Sequence, residues 1–461
     1  MTAPGTPPAP HKGSRWIERW DPEDEAFWEA EGKGIARRNL TLSVISEHIG
    51  FSVWSLYSVL ALSMGPEYGI DPAGKFFLVA VASLVGAILR VPYGFAVARF
   101  GGRNWTIFSA GLLLVPTLAL LFVMEPGTSY TTFMLVAVLT GVGGANFASS
   151  MTNINNFYPL RLKGWALGMN AGGGNIGVAV VQLVALLVIG VAGAGHPRVL
   201  LSVYVPLIVV SVLLSARFMD NLGPVRNDTG AAKEAVREGH TWIMAFLYIG
   251  TFGSFIGYSF AFGLVLQNQF GRTPLQAASL TFIGPLLGSL IRPVGGQLAD
   301  RLGGAKVTLW NFAAMFVASA VVVTASVQKS LPLFITGFIA LFVLTGVGNG
   351  STYKMIPGIF RAKATVRGME GEEAAVYARR LSGASMALIG AVGALGGLAI
   401  NLTLRQSFLS YGTGTGAFVA FLAYYGVCFA VTWAVYLRRT AAKSATAAAA
   451  EAEPQLSYAE V

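Results

Sequence analysis

Apolar stretches long enough to cross a bilayer recur along the chain, at about 40–62, 76–98, 104–124, 131–157, 164–190, 199–219, 242–268, 276–299, 306–327, 331–357, 382–404 and 414–437. A helix needs about 20 apolar residues to traverse roughly 30 Å of hydrocarbon. The pattern therefore predicts twelve transmembrane helices and an all-α membrane protein. The polar stretch RFMDNLGPVRNDTGAAKEAVREGH (217–240) parts them six and six. The predicted organisation is an N-terminal segment (1–36), a six-helix half (37–219), a linker (220–240), a second six-helix half (241–438) and a tail (439–461). From Lys443 the tail is Ala-rich, then acidic, and is expected to be disordered.

Composition sharpens the class. The chain is 54% hydrophobic and 12% charged, with a mean hydropathy of +0.61, whereas soluble domains carry about 25% charged residues. Its 56 glycines suit close helix packing in a membrane. A lone cysteine, Cys428, excludes an internal disulfide and a cysteine metal site. The net charge of +10 raises nucleic acid as a partner, but the basic residues are spread over short loops without interleaved aromatics, which excludes it. Fifteen Lys and Arg fall in loops on the side of the N-terminus, against Lys75, Arg198, Arg272, Lys329 and Arg405 on the other. Cytoplasmic loops keep the positive charge, so both termini are expected in the cytoplasm, with the chain integral to the inner membrane. Residues 1–36 lack the apolar core of a signal peptide. WIERWDPEDEAFWEAEGKG there reads as a short cytoplasmic helix against the membrane face.

The two halves repeat. RVPYGFAVARFGG (90–102) and RPVGGQLADRLGG (292–304) each place an arginine nine positions before a second one, with Gly94 and Gly296 between and Gly-Gly at the end. GVGGANFASSMTNINNFYP (141–159) likewise parallels GVGNGSTYKMIP (346–357). Such repeats mark transporters whose substrate site lies between the halves near the bilayer midplane. The loops after Gly94 and Gly296 resemble the Gly-x-x-x-Asp-Arg-x-Gly motif of the major facilitator superfamily. Asp300 and Arg301 fit it as gating residues, while Ala98 departs from it in the first copy.

Arg90 and Arg292 stand about nine residues, roughly 13 Å, inside their helices. That is too deep for a guanidinium to reach the headgroups comfortably. A buried arginine costs about 2.5–3.5 kcal/mol on insertion scales, so a matched pair calls for an anion. The competing reading is an arginine bonded to backbone carbonyls at a helix interface. Guanidinium offers planar paired donors that suit a planar oxyanion. GWALGMNAGGGNIGVAVVQ (164–182) adds Asn170 and Asn175 among glycines that either admit a small substrate or serve tight helix packing. The residues alone support a small inorganic anion.

GANFASSMTNINNFYP, GWALGMNAGGGNIG, LRVPYG and FGSFIGYS resemble the NarK-type nitrate/nitrite porter family of the major facilitator superfamily, as does DPEDEAFWEAEGKGIARRNL near the N-terminus. The similarity runs from about Trp20 to Tyr436 and includes the glycine-rich segments of the fifth and eleventh helices (GAVGALGGLAIN, 390–401). The resemblance implies Arg90 and Arg292 as a substrate clamp, Asn175 and Tyr248 as hydrogen-bond donors, and Phe147 and Phe252 as walls sandwiching a flat anion. It implies nitrate and nitrite as substrates, a transporter working as a monomer, and no cofactor or metal.

Exchangers of this family lack acidic core residues. This chain places Glu47 and His48 in SVISEHIGFSVW and Lys354 in STYKMIP. A carboxylate, an imidazole and an amine can form a proton relay, similar to the family's proton-symporting branch. The alternative is a structural Glu47–Lys354 ion pair. Nitrate/proton symport is the favoured expectation, nitrate/nitrite antiport the alternative, and transport of another small anion the third. A receptor is disfavoured for want of a soluble signalling domain. An enzyme is disfavoured because His11, His48, His196 and His240 lack metal-ligand spacing and no nucleophile–base arrangement appears.

Overall fold

The computed structural model describes residues 15–223, 225 and 227–438; the tail from Lys443, His11 and Arg226 lie outside them. The first spanning helix, α1, runs Lys33–Trp54 and resumes at Leu56–Ser63. Its break has a local cause: the Ser55 hydroxyl bonds the Phe51 and Ser52 carbonyls, competing with the helical ladder. Among the described residues, eleven other helices are long and apolar enough to cross a membrane. They are α2 (Pro72–Phe100), α3 (Gly102–Val123), α4 (Tyr130–Phe157), α5 (Leu160–Ala192), α6 (Pro197–Phe218), α7 (Gly239–Phe270), α8 (Pro274–Leu302), α9 (Gly304–Val327), α10 (Leu331–Val366), α11 (Gly371–Tyr411) and α12 (Thr415–Leu437). Helices α10 and α11 outrun their apolar stretches by about nine residues or more at the termini side. Hydropathy marks only the part that needs lipid, whereas the backbone ladder continues into water.

Side chains set the helix starts. Asp71 and Ser129 accept from the Gly74 and Thr132 backbone N–H groups, and Thr273 forms a reciprocal capping box with Gln276. The repeated Gly-Gly pairs punctuate two corners. Gly101 and Gly303 end α2 and α8 with φ of +85° and +89°, which favours glycine. Gly102 and Gly304 then start the next helices hard against Asn153 and Met355.

The N-terminal segment differs from expectation. Capped by Asp24, Glu25–Phe27 and Trp28–Gly32 lead straight into α1. Trp20 and Trp28 pack edge-on against Phe157 and Tyr158 at the end of α4. Apolar side chains facing α4 therefore make this segment an extension of α1, rather than a separate helix along the membrane face. Trp16–Ile17 pairs in parallel with Asn221–Leu222 just after α6. The buried Asp220 beside it takes Arg15 at 3.4 Å, Arg38 at 2.5 Å and Asn39 Nδ2 at 2.9 Å. A short linker helix, Thr229–Arg237, docks on α11. Hydrogen bonds from Arg380 hold the Asp228 carboxyl at its N-cap below the ordinary carboxylate range.

Contacts between the halves gather in the part of the bundle away from the termini. Trp54 meets Phe260 and Phe76 stacks on Phe408. Gln182 donates to the Ser259 carbonyl and Gln267 to the Leu62 carbonyl. Nearest the termini in this series is Arg90, bonded to the Gly390 carbonyl.

Glycines bring the helices of each half together. A Cβ on Gly143 of α4 would sit 2.2 Å from the Gly50 carbonyl oxygen of α1. We expect Gly143→Ala to cost about 1–3 kcal/mol through overpacking and to lower the thermal unfolding midpoint in detergent. Gly168→Ala, where nothing lies within 4 Å, should leave that midpoint in place. Equal midpoints for the two variants would contradict the packing argument. Three glycines on one face of α5 follow the same logic as Gly143. Gly173, Gly174 and Gly177 abut Val44, Glu47 and His48 of α1, so this face serves helix packing and not the approach of a substrate.

Candidate anion-binding site

Arg90 on α2 and Arg292 on α8 come from opposite halves and are 2% and 8% exposed. Arg90 Nε donates to the Gly144 carbonyl of α4 at 3.1 Å, and Nη1 to the Gly390 carbonyl of α11 at 2.9 Å. Its Nη2 is buried without a protein partner. Its Cζ lies 4.6 Å from the centroid of Phe147, 5.1 Å from Phe252 and 5.6 Å from Trp54. Arg292 Nη2 donates to the Tyr248 hydroxyl at 3.3 Å, its Nη1 is unpartnered, and its Cζ stands 5.7 Å from the Tyr353 ring. Backbone carbonyls and ring faces thus hold Arg90, and the Tyr248 hydroxyl and the Tyr353 ring face hold Arg292, each guanidinium using only part of its set of N–H donors. Among the described residues, neither arginine is bonded to a carboxylate.

Helix α7 delivers Tyr248 and Phe252 through a local change of pitch. Its ladder widens to a π-helical turn at Ile249–Gly253, a feature that recurs at functional sites. The two rings stack with centroids 5.2 Å apart at 11°. The glycines of α11 make room for them: a Cβ on Gly393 would lie 2.4 Å from the Tyr248 ring, and one on Gly253 2.7 Å from Gly396 Cα. Phe147 and Phe252 are 6.1 Å apart and inclined by 29°. A flat anion between two rings needs about 7 Å, twice a van der Waals contact of roughly 3.5 Å. In this conformation they form one wall under Arg90, and a sandwich requires them to part by roughly 1 Å.

The Major Facilitator Superfamily profile matches residues 44–369. The nitrate/nitrite transporter NarU of Salmonella typhimurium is 40% identical over 447 residues, covering 92% of this chain and 96% of that protein. The probable nitrate/nitrite antiporter NarK2 of Thermus thermophilus is 32% identical over 458 residues, covering 93% and 98%. The chain belongs to the NarK-type nitrate/nitrite porter family of the major facilitator superfamily. A D-xylose–proton symporter shares the fold, with a TM-score of 0.62 at 16% identity over 88% of this chain and 97% of that one.

In this porter a second buried cluster lies beside the arginines. Glu47 is 0% exposed on α1, and the charges of both Arg90 and Arg292 act on it. Its Oε2 accepts from Ser150 Oγ at 2.5 Å and Asn170 Nδ2 at 2.8 Å. Asn170, expected at the anion, is thereby committed to Glu47, because its amide points toward α1. Asn175 is 1% exposed, and its Oδ1 is buried without a partner. His48 also meets α5, its Nδ1 3.2 Å from the Gly173 carbonyl.

Lys354 does not join this set. Its Nζ lies 2.9 and 2.8 Å from the Asp300 carboxylate oxygens at the termini-side end of α8, with both side chains about half exposed. The alternative Glu47–Lys354 ion pair is therefore not formed, and Lys354, expected in the relay, stands apart from Glu47 and His48. Lys354 sits one residue beyond Tyr353, and the helical turn swings it into the open end rather than the core. Arg301 is exposed in the last turn of α8. Sequence reasoning missed Ser150, Tyr353 and the Gly390 carbonyl. Tyr353 lay next to a charge already singled out; a serine and a backbone carbonyl carry no comparable signal.

Proposed function

We propose that this porter moves nitrate and nitrite across the cytoplasmic membrane by alternating access, with Arg90 and Arg292 as the anion clamp and one proton carried on Glu47. The observation that carries this reading is a pair of buried guanidinium groups, one from each half, with unspent donors and no bonded carboxylate. An anion on the clamp cancels positive charge that otherwise favours ionised Glu47, so anion and proton each promote the other's binding. The termini are assigned to the cytoplasm by the distribution of loop Lys and Arg, and the carrier is taken to work as a monomer. Asp300 and Lys354 are assigned to the gate at the termini side, Arg301 beside them. A second reading, nitrate/nitrite antiport, is supported by the similarity to the Thermus relative, a probable nitrate/nitrite antiporter. Uptake of labelled nitrate into proteoliposomes under a pH gradient, with and without internal nitrite, separates the two.

Tyr248→Phe and Asn175→Ala should each weaken nitrate affinity by about 10- to 100-fold. That is the effect of one hydrogen bond to a charged group, about 1.5–3 kcal/mol. Isothermal titration with nitrate measures it. Unchanged affinity in both variants would place the anion elsewhere.

A further inference from the structure

We propose that Ser150 and Asn170 set the pH range of proton-coupled uptake by gripping one oxygen of Glu47 and leaving the other to take the proton. The inference rests on the proton-coupled reading above. Ser150 Oγ and Asn170 Nδ2 both bond Oε2, and Nδ2 also lies 2.5 Å from Ser150 Oγ. Ser43 Oγ is 2.9 Å from Ser150 Oγ. Because the single hydroxyl hydrogen of Ser150 goes to Glu47, Ser43 donates to Ser150. Every hydrogen in the chain Ser43–Ser150–Glu47 then points toward the carboxylate, and each bond strengthens the next.

The other oxygen is different. Oε1 is buried without a partner and faces Gly174, where a Cβ would lie 2.2 Å away. A hydronium ion supplies the proton: one of its O–H bonds breaks as the Oε1–H bond forms, which cancels the carboxylate charge and leaves a neutral water. The Oδ1 of Asn170, on the same amide that grips Oε2, is also buried without a partner. The charged groups acting on Glu47 are Arg90 from α2 and Arg292 from α8. Helices α4 and α5 face it with Ser150, Asn170 and Gly174, and His48 on its own helix bonds the Gly173 carbonyl. Both donors favour the charged form, so removing either extends proton binding to higher pH.

The test is the rate of pH-gradient-driven nitrate uptake into proteoliposomes as a function of pH. Ser150→Ala and Asn170→Leu should each move the midpoint to higher pH by about one to two units, the change expected for one lost hydrogen bond to a charge. Ser150→Thr, which keeps the hydroxyl, should retain the wild-type midpoint. Nitrate counterflow reports that each variant is folded. An infrared titration of the carboxyl C=O band that Glu47→Gln removes gives the same midpoint in detergent, independently of transport. Unmoved midpoints in both donor variants, with Glu47→Gln still uncoupling, overturn the role of the pair. Absence of any pH-driven uptake by wild-type protein overturns the proton-coupled reading itself, and this inference with it.

Discussion

Arg90→Lys and Arg292→Lys should each abolish nitrate transport in proteoliposomes, while the protein still folds and elutes as the wild type does. Lysine keeps the charge but replaces a planar fork with a single ammonium. Arg90 uses its fork on three sides at once. Nε holds the Gly144 carbonyl in its own half, Nη1 holds the Gly390 carbonyl in the other half, and Nη2 is left for the anion. One ammonium cannot keep this geometry. Losing one carbonyl anchor and one bond to the anion, each about 1.5–3 kcal/mol when a charge is involved, amounts to a rate loss of more than about 100-fold. Arg292 has a smaller set of protein bonds, to Tyr248 and the face of Tyr353. Its lysine variant should therefore lose anion affinity more than stability. Near-wild-type transport by either variant would refute the clamp.

Glu47→Gln should eliminate nitrate accumulation driven by a pH gradient and still permit counterflow between equal nitrate pools. Glutamine keeps the shape of the side chain and can still accept from Ser150 and Asn170, so the packing of α1 against α4 and α5 survives. It cannot gain or lose the proton. Among the described residues Glu47 is the one carboxylate buried within the spans; Asp220 and Glu238 are buried at helix ends. With Glu47 ionised, the two arginines and one carboxylate leave a net core charge of +1. Binding one proton and one nitrate leaves the same net charge, so the empty and doubly loaded carriers meet a similar electrostatic barrier on reorienting. Nitrate alone would change it by one unit. The measurement is uptake into empty vesicles under an imposed pH gradient, for wild type and variant. Wild-type protein that takes up nitrate only against internal nitrite or nitrate is an antiporter. A variant that accumulates nitrate as the wild type does would remove Glu47 as the carrier.

The two arginines were legible because a charge inside an apolar stretch is a local anomaly, visible without knowing what lies opposite. Their partners were not. The Gly144 and Gly390 carbonyls have no side chain to betray them, and the bond from Arg90 to Gly390 joins residues 300 apart in the chain. Asn170 was expected at the anion, and its amide bonds Glu47. Which neighbour an amide meets depends on the rotation of α5 against α1, and Gly173, Gly174 and Gly177 set that rotation by close contact. Lys354 failed for a related reason. Its depth along the chain matched a relay, but its direction on α10 takes it to Asp300.

Hydropathy along the chain determined the spanning helices and the six-and-six division, because entry into lipid depends on the composition of each segment taken by itself. Internal repetition determined that Arg90 and Arg292 occupy matching places in the two halves. Only the tertiary structure decided that Glu47 belongs with Ser150 and Asn170, that Lys354 belongs with Asp300, and that Phe147 and Phe252 form a wall beneath Arg90. Those pairings depend on helix rotation and on contacts of a few ångströms between distant segments, and one residue of helix turns a side chain by about 100°.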